Sequence, residues 1–230
     1  MWNRQQVKEQ AKIIMKRNYW KMFVVTLLVG LLTGEKTTII ERIQDFASNN
    51  LSYDAQPIFY SSNFQYIFYS FISIASILGI LYTIFIGNVI VVGKNGYFIK
   101  NHDENPELGE IFKGFKGNYL NVVKIMFLMD LKTLLWLLLF IIPGFVKAYE
   151  YSMIPYLLAE NPNLSADEAF SLSKQMTTGQ KMDLFVLDLS FIGWIILGLI
   201  CCGIGILFVL PYPEATRAEV YLNLKESVEI

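Results

Sequence analysis

Six charged residues lie inside or beside long apolar runs: Asp130, Lys147, Glu150, Asp188, Glu214 and Arg217. A charge facing lipid costs about 3 kcal/mol on insertion scales, so such side chains face protein or water, and intramembrane chemistry is sought among them first. Two chemistries are open to this set. Paired aspartates serve intramembrane proteolysis, and Asp130 and Asp188 are the candidates. A string of polar groups instead lines a solute path, with Pro143, Gly144, Gly203 and Gly205 as helix breaks that open it. The plainer alternative is that the charges pair, Asp130 with Lys132 and Lys147 with Glu150, and only fix helix packing. That alternative is preferred, because the opposite charges lie close in sequence and neither aspartate stands in a motif for proteolysis.

Other catalytic signatures are absent from the sequence. There is no HExxH, no GxSxG, no phosphate-binding loop and no glycine-rich dinucleotide fingerprint. His102 is the only histidine. Only carboxylates stand near it in sequence, so it reads as a solvated loop residue and not a metal ligand. Cys201 and Cys202 are adjacent and give no disulfide framework. The expectation is a protein that is not an enzyme, with no metal and no cofactor.

The elements that carry these residues are apolar and long. Of 230 residues 54% are hydrophobic and only 17% charged, against about 25% charged in soluble domains. The mean hydropathy is +0.41. A net charge of −1 gives no sign of nucleic-acid binding. Phe64 to Val92 organises the rest. As a helix it is roughly 43 Å long, enough to cross a ~30 Å hydrocarbon layer. Ala75, Gly79, Thr83 and Gly87 repeat every fourth residue on one face, where another helix backbone could approach closely.

Before it, Trp2 to Asn18 reads as a basic amphipathic surface helix. Arg4, Lys8, Lys12 and Lys16 form its charged stripe, and Val7, Ala11 and Ile14 its apolar one. The same lysines also serve as the positive flank orienting a first span over Tyr19 to Leu32, and that explanation is preferred. Thr38 with Glu41 has the form of a capping box opening a short outer helix. The N-terminus does not read as a cleavable signal, since its apolar run comes late.

After it, Lys94, Lys100, Lys113 and Lys116 mark a cytoplasmic connection. Asn105-Pro106 would open a helix there, with Leu108, Ile111, Phe112 and Phe115 facing the membrane. Tyr119 to Ile142 is a third span, turning at Pro143-Gly144 into a half-polar fourth over Phe145 to Leu158. Ser165 with Glu168 caps a surface helix that Gly179 ends. Met182 to Ile200 is a fifth span. From there either one long span runs from Leu184 to Leu210, or the chain turns at Cys202-Gly203 into a sixth segment ending near Leu224. Six segments put Lys174, Lys181 and Lys225 on the same side as the N-terminal stripe, as the positive-inside rule requires. The fold expected is therefore an all-α polytopic bundle of about six membrane segments with short amphipathic surface helices. It forms one domain over 1–230, with a surface helix over 1–18 and a bundle over 19–225.

Several elements combine into a pattern: Asn18-Tyr19-Trp20, Pro143-Gly144, then Ser173, Met176, Gly179 and Lys181, Leu189 to Trp194, Gly203-Ile204-Gly205, Pro211-Tyr212, Thr216 and Tyr221. This resembles the bacterial integral-membrane family catalogued as domain of unknown function number 975, over nearly the whole chain. Cys201-Cys202 departs from the pattern, standing where a hydroxyl residue is expected. The Pro143-to-Lys181 arrangement is also similar to the membrane domain attached to some glycerophosphodiester phosphodiesterases. The family resemblance implies a six-helix membrane protein of Gram-positive-type bacteria and no reaction. The residues point to a non-enzymatic accessory or protective, immunity-like factor. Such a protein would sit in the cell membrane with both termini cytoplasmic. Its expected partners are membrane lipids and another membrane protein or a membrane-active peptide, and a homo-oligomer is compatible. A small transporter or channel is the alternative, and an intramembrane enzyme a more distant one.

Overall fold

The computed structural model describes residues 2–33, 62–200 and 204–228. Among these, regular structure is entirely helical. The capping box at Thr38 and Glu41, and Cys201, Cys202 and Gly203, lie outside the described residues.

Helix α1 (Arg4–Thr33) bends at Asn18, where φ −131° and ψ 23° leave the helical region. The bend falls at the expected boundary between surface helix and span, and side chains hold it. The Asn18 amide donates to Asn101 Oδ1 at 2.7 Å. The Arg17 guanidinium donates to the carbonyls of Asn101 at 2.6 Å and His102 at 3.0 Å. A cation on these carbonyls satisfies the helix C-terminus that ends at Lys100 and complements its dipole. The N-terminal arm does not offer its apolar stripe to lipid. Val7, Ala11 and Ile14 are buried in the same core as Ala215, Ala218 and Leu224, so protein takes the place the sequence assigned to the membrane surface. Arg4, Lys12 and Lys16 remain exposed.

α2 (Ser62–Tyr82) continues through a π-helical turn, Thr83–Gly87, into α3 (Asn88–Lys100). Ser73–Lys100 is the one stretch among the described residues long and apolar enough to cross a membrane. The rod changes character at the π turn. Ile74, Leu78, Ile80 and Leu81 are exposed, whereas Val89, Ile90, Val92, Lys94, Asn95, Tyr97 and Phe98 are buried. The upper part stands clear, and α3 is the axis around which the core assembles. Among the described residues the small-residue face meets little. Among the described residues nothing lies within 4 Å of a Cβ built on Gly79. Ala75 and Thr83 are exposed, and only Gly87 is buried.

The segment expected to open at Asn105-Pro106 begins later, as a 3-10 helix over Leu108–Phe115 after an extended Glu107. Asn105 caps nothing; its side-chain oxygen accepts from Lys21 Nζ at 2.8 Å. The 3-10 helix lies along α3, because two glycines let the backbones touch. A Cβ on Gly93 would overlap the Ile111 carbonyl, and one on Gly114 would lie 2.7 Å from the Val89 oxygen. Ile111 is therefore buried under α3, while Leu108, Phe112 and Phe115 stay exposed.

α4 (Tyr119–Leu139) and α5 (Ile141–Tyr151) form the expected hairpin, but the break is Phe140, with φ −152° and ψ 130°. Pro143 sits in the first turn of α5, where its missing N–H leaves no helical bond unmade. Gly144 is the contact point: a Cβ there would lie 2.6 Å from Leu137 Cδ2. α6 (Ile154–Glu160) follows, and then α7 (Ala166–Thr177) with the Ser165–Glu168 capping box formed. Gly179 ends the turn after α7 at φ +78°, a conformation glycine adopts without strain. α8 (Lys181–Ile200) and α9 (Ile204–Val209) approach closely. A Cβ on Gly198 would lie 2.7 Å from Ile206 N, whereas eight residues of straight helix would separate them by about 12 Å. The chain therefore doubles back, and one continuous span from Leu184 to Leu210 is ruled out. α10 (Pro211–Val228) completes the core against α1 and α3.

Candidate functional site

A cavity of about 480 Å³ lies between α3, α4, α5, α6 and α10. Its walls bring together Lys94, Asp130, Glu214 and Arg217, with Asn95 and Tyr156 beside them. Lys94 comes from the buried middle of α3, where its Nζ is 2.7 Å from Glu214 Oε1. This lysine is not the cytoplasmic flank that hydropathy suggests. It is 4% exposed, and a charge so placed requires the carboxylate on α10. Pro211 and Pro213 start α10, so Glu214 and Arg217 fall one turn apart on the same helical face.

Arg217 pairs with Asp188 of α8 through two bonds, Nη2 to Oδ2 at 2.8 Å and Nε to Oδ1 at 3.3 Å. The two-point geometry suits a planar guanidinium and a carboxylate. The Tyr149 hydroxyl donates to the same Asp188 at 2.9 Å. Asp188 thus links α5, α8 and α10. Glu150 links α5, α7 and α8: its carboxylate takes Lys147 at 2.6 Å and Lys181, and its carbonyl oxygen accepts from Ser173 at 2.7 Å.

Of the six charged residues singled out from the sequence, Asp130, Glu214 and Arg217 line the cavity; Asp188 is joined to it through Arg217. Lys147 and Glu150 form a separate cluster. The Lys147–Glu150 pair is present, but the Asp130–Lys132 pair is not. Asp130 Oδ2 accepts from Asn88 Nδ2 at 2.7 Å, and Lys132 Nζ lies 3.7 Å from the Phe170 ring centre. A helix explains this, since residues two apart point away from each other. His102 lies in a turn and is partly exposed, as expected, but it is not merely solvated: its Nδ1 is 2.9 Å from Glu219, which is buried.

Hydropathy hid Asn88, Lys94, Asn95, Tyr149 and Tyr156. A signal was present for two of them. Asn88 and Asn95 stand seven residues apart on one face of a helix whose only other strongly polar side chains are Lys94 and Lys100.

Asp130 and Asp188 have separate partners: an amide for Asp130, and a guanidinium and the Tyr149 hydroxyl for Asp188. Among the described residues lining the cavity, no Ser, Thr, Cys or Lys stands hydrogen-bonded to a neutral base, the arrangement covalent catalysis requires. Among the described residues no group of three or more His, Cys, Asp and Glu is placed to hold a metal ion. The hydrogen bonds and ion pairs of the site join helices distant in sequence.

Residues 135–228 match the family described as protein of unknown function, DUF975. The resemblance carried by Ser173 to Tyr221 is borne out over that stretch. The matched stretch runs from the end of α4 through α10. It contains every side chain of the Asp188–Arg217–Tyr149 and Glu150–Lys147–Lys181 clusters. Lys94, Asn88 and Asp130 lie outside it, so the cavity is shared between the matched stretch and the preceding helices. No curated protein and no solved structure matches the chain.

Proposed function

We propose that this protein is a multi-pass bacterial membrane protein without catalytic activity, acting as an accessory or protective factor that binds a membrane partner. One contrast carries the reading: the charged side chains of the cavity are satisfied internally, while α2 presents an exposed apolar surface from Ile74 to Ile86. Apolar surface of this extent belongs in lipid or under a partner helix. The α4–α5 tip, Leu134 to Val146, and α8, Ile192 to Leu197, add further exposed apolar surface, which favours membrane contact beyond Ser73–Lys100. At the base of α2 the Tyr82 hydroxyl donates to the Leu32 carbonyl, and a cavity of about 570 Å³ beside it includes Gly79, Thr83 and Leu32. A partner helix seated along Gly79 fits this surface.

Transport is the second reading, and the 480 Å³ cavity with Lys94, Asp130 and Arg217 on its walls favours it. The two separate experimentally. Under the accessory reading, protein extracted in mild detergent carries a stoichiometric second component. Gly79→Leu abolishes that component at normal protein level, and Glu214→Gln does not. A lone protein whose liposome flux is lost in Glu214→Gln and kept in Gly79→Leu overturns the accessory reading.

A further inference from the structure

A second groove, of about 410 Å³, opens where the bend of α1 meets α8 and the α9–α10 junction. Its floor and far wall are apolar and aromatic: Met15, Trp194, Phe208 and Val209. Trp194 and Phe208 are nearly half exposed, so the groove is open along its length. The wall is rigid. Phe208 stacks on Phe23 with ring centres 5.2 Å apart, its carbonyl accepts from the Tyr19 hydroxyl at 3.0 Å, and Tyr212 meets Trp194 edge-on.

The near rim is different in kind. Lys12 and Lys16, one turn apart on α1, stand over the apolar floor. Lys12 is engaged by exposed Glu9 at 2.8 Å. Lys16 has no ion-pair partner among the described residues. An apolar trough with two cations at one edge is complementary to a molecule with an alkyl chain and an anionic head. It is a poor match for an apolar membrane helix, which would bring no charge to the lysines, and for a free anion, which would leave the aromatic wall uncovered.

We propose that this groove binds an anionic phospholipid, an acyl chain lying on Trp194, Phe208 and Val209 and the phosphate on Lys16 and Lys12. The proposal rests on the membrane reading given above and names one lipid class and one place for it. It also assigns the α1 arm a role other than floating on lipid: its apolar stripe is fixed in the protein, and that holds the basic stripe over the groove. Two lysines near an anionic headgroup amount to roughly a 10- to 30-fold preference over a zwitterionic lipid.

The test uses the full chain in phosphatidylcholine vesicles, with Trp2, Trp20 and Trp136 replaced by Phe so that Trp194 is the sole fluorophore. Brominated phosphatidylglycerol is titrated against brominated phosphatidylcholine. The proposal expects half-maximal quenching at about 10-fold lower mole fraction for the glycerol lipid. It further expects that preference to be lost in Lys12→Gln/Lys16→Gln and retained in Lys16→Arg, with quenching by the choline lipid unchanged in all three proteins. Equal quenching by both lipids means ordinary boundary contact and overturns the site while leaving the membrane reading intact. No quenching by either means the groove does not meet lipid, and both fail.

Discussion

Replacing Gly93 by alanine adds one methyl group where α3 touches the backbone of the 3-10 helix. The new Cβ would overlap the Ile111 carbonyl oxygen and lie 2.6 Å from its carbonyl carbon. Carbon atoms rest about 3.5–4.0 Å apart, so the segment must withdraw by about 1 Å. A gap of that size forfeits a quarter to a half of the dispersion contact at buried Ile111, and overpacking of this kind costs up to about 3 kcal/mol. Alanine is the better helix former by about 0.8 kcal/mol, which leaves a net loss of about 2 kcal/mol. For a chain of this length that is a fall in Tm of about 4–8 °C. Gly79→Ala makes the same chemical change on the same rod, into open space, and retains only the helix gain. Its Tm should rise by up to about 3 °C. Thermal unfolding of the detergent-solubilised protein, followed by size exclusion after heating, reads both. A Gly93→Ala protein as stable as wild type, or the same shift in both variants, would refute the seating of the 3-10 helix on α3.

The Lys94–Glu214 pair predicts strong non-additivity. Glu214→Leu leaves the buried Lys94 charge unpaired and should destabilise by about 3 kcal/mol, Lys94→Met leaves a partly buried carboxylate and should cost less, and the double variant should recover most of the loss; additive losses in equilibrium unfolding would contradict the pairing. Acid sensitivity should have a component at Glu168, whose carboxyl is held below its ordinary value by hydrogen bonds from the Ser165 side chain and then its backbone. A depressed value contributes stability that is complete above about pH 4.3 and lost as pH falls through the folded value. Glu168→Gln should therefore flatten the pH dependence of Tm between about pH 5 and 3, and an unchanged profile would count against the cap. Glu110 acts in the same direction: burial would raise its carboxyl, but hydrogen bonds from Lys113 and Lys100 outweigh burial and hold it low. Glu110→Gln should remove a further part of the same acid step, measured the same way.

The patterns that depend on near neighbours were legible in the chain alone. The Ser165–Glu168 cap, the stop at Gly179 and the Lys147–Glu150 pair each involve groups within four residues of one another, and helix geometry decides them without outside help. The α4–α5 hairpin was legible too, although its turn fell at Phe140. Proline could be taken into the first turn of α5, and Gly144 served to let the helices touch instead of breaking them. Long apolar runs likewise marked the helices themselves, and the Gly198–Ile206 approach bore out the turn ahead of α9.

Everything that joins distant segments required the tertiary structure. Asn105 lost its place as a cap because two glycines on opposite sides of a contact, Gly93 and Gly114, let the 3-10 helix lie on α3, and neither means anything alone. The arm of α1 was read against lipid because its stripe is amphipathic; periodicity fixes which face is apolar and is silent on whether lipid or α10 covers it. Lys94 looked like a flank because hydropathy counts charges without their partners, and Glu214 lies 120 residues away. Asp130 turned to Asn88 and Asp188 to Arg217 for the same reason. A charge in an apolar helix determines that a partner must exist, and only the packing of the helices determines which one.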